Sequence, residues 1–162
     1  MKAQLQRLRA EIGSDRAAFD ARAAELAGLD LSHADDGTLA RAAVALHHGF
    51  GAIEAALARL ARTLGEGVPE GPDWHQALLT AMALEVPEVR PAVLSPESLR
   101  ALRRLLGFRH FFRHAYAVAL DADQLASLRA EALALREPLK ADLDRLDAFL
   151  AQVASTAGRS ES

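Results

Sequence analysis

Apolar residues recur at helical intervals along almost the whole chain, and no stretch alternates with the period of two that a half-buried strand requires. Leu5, Leu8, Ile12, Phe19 and Leu26 are spaced by three, four and seven residues, which gathers them on one face of a long first helix. Leu39, Ala43, Leu46, Phe50, Ile53, Leu57, Leu60 and Leu64 alternate steps of four and three, the seam of a second helix packed along its length. The same rhythm returns in Leu125, Leu128, Leu135, Leu139, Leu143, Leu146, Phe149 and Val153, with Pro138 as an expected kink.

Between these runs the punctuation is specific. Asp-Asp-Gly-Thr at 35–38 supplies N-terminal capping chemistry for the second helix, and Gly65, Gly67, Pro69, Gly71 and Pro72 end it. Asp73 with Gln76 has capping-box spacing and predicts a short helix from Trp74 to about Leu84, followed by a connection through Pro87 and Pro91. Ser95-Pro96-Glu97 combines a capping hydroxyl, a proline at the first helical position and an acid in the first turn, and opens a third long helix. Asp121 with Gln124 caps the last. Four long amphipathic segments and one short one predict an all-α fold, an antiparallel up-and-down four-helix bundle with a short extra helix. The expected domain covers 1–154, with 155–162 as a disordered C-terminal tail.

Composition narrows the function classes. At 162 residues one domain is expected, and the absence of cysteine removes disulfides, thiolate metal sites and a cysteine nucleophile. The N-terminus has no apolar segment of a secretory leader, and no apolar run reaches the roughly 18 residues of a membrane span. A soluble, cytoplasmic protein without membrane contact is expected. A net charge of −3 excludes a general polyanion binder, so any RNA contact must be local.

That locality exists in the third long helix. Phe108 to Tyr116 reads Phe-Arg-His-Phe-Phe-Arg-His-Ala-Tyr, and between Ser95 and Leu120 only Glu97 is acidic, against Arg100, Arg103, Arg104, Arg109 and Arg113. At about 100° per residue, Phe108, Phe111, Phe112, Ala115, Val118 and Ala119 share one arc, and Arg109, His110, Arg113, His114 and Tyr116 the opposite one. Leu99, Leu102, Leu105 and Leu106 lie in line with the Arg/His/Tyr arc, so the apolar stripe changes sides around Gly107. If the Phe arc fills the core, the Leu patch needs a cover, either the Trp74 segment or a second copy of the chain, with the polar face at the rim of the contact. Histidine exchanges protons near neutral pH and arginine binds phosphate through a bidentate fork, chemistry suited to cleaving RNA by attack of its own 2′-hydroxyl without a metal.

Arg109, four intervening residues, His114, one residue and Tyr116 resemble the Arg-x4-His-x-Tyr motif of HepT-like proteins in the HEPN superfamily, all-α and usually homodimeric domains. His110 matches the polar residue that typically follows the motif arginine, and the long helices on either side match the family's order. The resemblance implies that Arg109 and His114 form the catalytic pair of a metal-independent ribonuclease in a cleft built from two protomers. His110, Arg113 and Arg103 are the expected substrate contacts. It also implies a toxin–antitoxin setting, with a nucleotidyltransferase antitoxin as partner and Tyr116 as the candidate for modification with AMP. Ala115 stands where toxin forms often have Gly, and the segment carrying Trp74 and His75 is longer than in compact toxins.

Other readings of these residues stay open. Tyr116 also suits an interface phenol with its hydroxyl bonded. His110 and His114 have the i, i+4 spacing of a metal pair, but no flanking carboxylate supplies a third ligand, so neither a metal nor a cofactor is expected. His47, His48 and His75 are expected at the hydrogen-bonded edge of the core. The alternative to an enzyme is a non-catalytic helical interaction module that uses the same polar face to dock a nucleotidyltransferase or other protein partner.

Overall fold

The computed structural model describes residues 1–114 and 119–160, side chains 110–114 and 158–160 excepted. Five helices follow in order: α1 (Lys2–Ala27), α2 (Asp36–Thr63), α3 (Trp74–Met82), α4 (Pro96–His114) and α5 (Ala122–Ser160). Among the described residues there is no strand, only an isolated bridge between Val86 and Arg90. Nor is any helix long and apolar enough to cross a membrane.

The expected caps account for most helix starts. Asp35 Oδ1 accepts from the Thr38 N–H at 2.7 Å, Ser95 Oγ from the Ser98 N–H at 3.2 Å, and Asp121 Oδ1 from the Gln124 N–H at 3.0 Å. Asp73 does precede α3, but its side chain makes no capping bond there, so the capping-box expectation fails in detail. At the other end of the chain, α5 continues through Pro138 and past Val153 to Ser160. The expected tail is therefore helical from Ser155 to Ser160. Burial of Ala154 and hydroxyl bonds from Ser155 and Thr156 back to the Gln152 carbonyl extend the last turns.

Ion pairs record the helix directions. Arg9 reaches Asp147 at 2.7 Å, Arg16 reaches Asp144 at 2.7 Å, and Arg129 Nε donates to the Leu26 carbonyl at 2.7 Å, so α1 and α5 run antiparallel. Arg59 of α2 pairs with Asp15, and Arg41 lies 3.8 Å from Glu25, which makes α1 and α2 antiparallel too. Ser95 and Arg104 of the α4 segment meet Asp142 and Glu131 of α5. The result is the up-and-down bundle, with α3 laid over α2 and α4.

Seam residues fill the interior, including Leu8, Phe19, Phe50, Leu57, Leu125 and Leu143. Among the described side chains of α4, Ser98, Ala101, Leu102, Leu105 and Phe108 are buried. The Leu arc therefore faces the core of its own chain, and no second copy is needed to cover it. α3 packs beside α4, and at the edge of this stripe Leu99 and Leu106 are half-buried, Leu106 facing a groove between the two helices.

Candidate functional site

With the Leu arc turned inward, Arg109 turns with it, because it follows Leu102 by seven residues and Leu105 by four on the same face. The guanidinium thus turns into the fold against Phe50 and Glu54 of α2 rather than resting at an outer rim. Its side chain keeps 16 % of its accessible surface. It lies over the Phe50 ring, 5.5 Å from the centroid, where the negative face of the ring attracts a cation.

Glu54 of α2 receives it. Arg109 Nη1 donates to Glu54 Oε1 at 2.5 Å, and the other oxygen, Oε2, accepts from His75 Nδ1. Glu54 is a buried carboxylate in a helix otherwise buried through apolar residues, four positions after Phe50 and three before Leu57. A charge in that position requires partners, and here both oxygens have one. Among the described residues only Nη1 of the Arg109 fork is engaged, and Nε is buried without a hydrogen bond.

His75 comes from α3, where the adjacent Trp74 ring stacks on it at 3.8 Å. Positive φ angles at Gly65, Gly67 and Gly71 let the chain turn sharply out of α2 and into this helix. Arg90 then locks the segment from behind. Its side chain has no accessible surface, grips Glu66 with Nε and Nη2 at 2.7 and 2.9 Å, and donates to the carbonyls of Ala81, Leu84 and Pro91. The loops before and after α3 are thereby tied to one guanidinium, and His75 is held in place by more than its own helix.

The basic residues of α4 diverge. Arg103 leans toward α3, donating to Thr80 Oγ1 at 3.0 Å, and lines a groove of about 420 Å³ between α3 and α4. Arg104 pairs instead with Glu131 of α5. Arg100 borders a separate cleft of about 340 Å³ that also holds Glu97 and Glu131, a carboxylate-rich lining unsuited to phosphate. Among the described side chains of α4, the basic residues that turn toward α3 are therefore Arg103 and Arg109.

Of the residues expected at the site, Arg109 and Arg103 lie on the α3-facing side of α4, joined by His75 and Glu54. His110, Arg113 and His114 belong to α4, but their side chains lie outside the described residues, as does Tyr116 altogether. His75 was expected only at a hydrogen-bonded core edge, and its contact with Arg109, 3.2 Å from Nη1 to Nδ1, was missed. Glu54 was missed as well, although an acid interrupting an apolar seam is a visible signal.

The family model for HepT-like proteins matches residues 41–150, which takes in most of α2, all of α3 and α4, and most of α5. No curated protein and no solved structure matches the chain. With the motif helix, the bundle and this match in agreement, the chain belongs to the HepT-like proteins of the HEPN superfamily.

Proposed function

We propose that this HepT-like protein is a metal-independent endoribonuclease, the toxin component of a toxin–antitoxin pair with a nucleotidyltransferase, acting in the cytoplasm as a homodimer. The observation that carries this reading is Arg109, the first residue of the motif, held in a desolvated polar cluster in which, among the described residues, only Nη1 of its fork is engaged. A guanidinium in such surroundings acts more strongly on a developing phosphoryl charge than one in water. The nucleophile is the 2′-hydroxyl of the RNA itself, so the chemistry needs proton transfer and charge stabilisation. His114 supplies proton transfer, Arg109 stabilises the transition state, and Arg103, His110 and Arg113 hold the flanking phosphates. Arg109 and His114 stand five residues apart, about 140° on a straight helix, which favours a cleft completed by a second protomer. Modification of Tyr116 with AMP would add negative charge to this cleft and repel RNA.

A second reading, a non-catalytic module that docks a protein partner, draws on the pairing of Arg109 with Glu54, which neutralises the motif arginine within the fold. One experiment separates the two. The purified protein is incubated with bulk tRNA and mRNA in the presence of a chelator, beside Arg109→Ala and His114→Ala. Cyclic-phosphate ends that vanish in both variants support the ribonuclease. No cleavage by the dimeric, unmodified protein overturns it in favour of docking, for which the same variants lose affinity in graded steps.

A further inference from the structure

One imidazole of the cluster has no task in that scheme. Glu54 Oε2 can only accept a hydrogen bond while ionised, so the proton between it and His75 sits on Nδ1. With the proton on Nδ1, the neutral form of the ring carries its lone pair on Nε2, and Nε2 makes no hydrogen bond among the described residues. His75 retains 20 % of its side-chain surface and forms part of the wall of the α3/α4 groove, together with Asp73, Gln76, Arg103 and Leu106. A carboxylate behind an imidazole fixes its tautomer and orientation and stabilises the charge it gains, the arrangement a proton acceptor needs.

We propose that His75 is a further proton-transfer residue of the RNA-cleaving site, accepting the 2′-hydroxyl proton of an RNA strand laid in the α3/α4 groove. This rests on the ribonuclease function proposed above. The 2′-O–H bond breaks and its proton passes to His75 Nε2, while the oxygen's electron pair forms the bond to phosphorus. The P–O5′ bond breaks, and the leaving oxygen takes a proton from the imidazolium of His114, giving a 2′,3′-cyclic phosphate and a 5′-hydroxyl. One imidazole gains a proton and the other loses one, and solvent exchange resets both. Of the charged groups around His75, Glu54 on α2 and Arg109 on α4 contact it, while Asp73 just before α3 and Arg103 on α4 line the same groove. Asp73 repels phosphate and so directs the strand toward Arg103.

The test uses the full-length protein, a chelator and an oligodeoxynucleotide with a single ribonucleotide. His75→Ala should lower kcat by about 10²- to 10⁴-fold with little change in KM, recover part of the rate on adding free imidazole, and lose the ascending limb of the wild-type pH profile. His75→Gln should fold, because its amide can still donate to Glu54, yet cleave as poorly as His75→Ala. Wild-type rates in His75→Gln with both pH limbs intact would overturn the proposal and leave the ribonuclease standing. So would a loss in His75→Ala that imidazole does not rescue while His75→Gln restores it, the signature of a purely structural ring. No cleavage by the wild-type protein would instead overturn the ribonuclease and this proposal together.

Discussion

Arg109 of α4 and Glu54 of α2, 55 residues apart in sequence, meet at 2.5 Å in a site where the carboxylate is almost fully buried. Neither residue could stand there alone, because an unpaired ion in low dielectric is costly whereas the pair, with His75 on the second oxygen, is satisfied. The motif arginine is thus held in place by a helix outside the motif.

Removing one partner is expected to expose that dependence. Glu54→Ala should cost about 3 kcal/mol, the low end of the range for breaking a buried pair, because Arg109 keeps some exposure. The double variant Glu54→Leu with Arg109→Met should recover most of that stability while remaining inactive. Urea unfolding of Glu54→Leu, Arg109→Met and their double variant gives the coupling, expected at about 1–3 kcal/mol. Additive losses would mean that the two side chains do not stabilise each other.

Arg90 should control the site from a distance. Arg90→Ala strands Glu66 and three carbonyls and is expected to destabilise by about 3–5 kcal/mol. Arg90→Lys keeps the charge but not the fork, so a loss of about 1–3 kcal/mol is expected. Because the guanidinium ties both loops flanking α3, limited proteolysis should cut first within 64–95 in either variant, and cleavage activity should fall as His75 loses its fixed position.

Much of this was legible in the sequence because it is local. The four-three rhythm from Leu39 to Leu64 places one face of α2, and Asp35, Ser95 and Asp121 mark helix starts through bonds that reach only three residues on. The inward turn of Arg109 was half legible. Its alignment with Leu102 and Leu105 follows from the helical period, but which arc of α4 faces the core depends on where α3 lies, and that is a tertiary fact. His75 was illegible as a partner for the same reason, since it approaches Arg109 from 34 residues away through a loop whose path is set by Arg90 and Glu66. The chemistry of the Arg-x4-His-x-Tyr motif was readable as residue types, and its geometry beyond Arg109 falls outside the described side chains.

Acid should loosen the seam between α1 and α5. A hydrogen bond from Arg9 holds the Asp147 carboxyl below its usual range, and bonds from Lys140 and Arg16 do the same for Asp144. A carboxyl whose folded pKa is depressed contributes stability that is present above its unfolded pKa, near about 4, and lost as pH falls through the lower folded value. Both carboxylates are about half exposed, so solvent screening keeps each contribution small. The variant Arg9→Gln with Arg16→Gln should therefore unfold at nearly the wild-type denaturant midpoint in strong acid below that window and at a lower midpoint at neutral pH. Equal differences at both pH values would show that the pairs contribute nothing through ionisation.

Gly107 offers a way to separate stability from function. It sits inside α4 with nothing within 4 Å of where a Cβ would stand, so alanine there meets no clash. Replacing an interior helical glycine by alanine removes backbone freedom from the unfolded chain, and Gly107→Ala is expected to stabilise by about 0.5–1 kcal/mol. Gly107 also lines the groove between α3 and α4, where the added methyl narrows the space beside Leu106 and Arg103. Gly51, likewise open and helical but outside that groove, serves as the control. Both alanine variants should melt higher than the wild type, and only Gly107→Ala should raise KM for an RNA substrate. A rise in KM for both, or for neither, would remove the groove from the path of the strand.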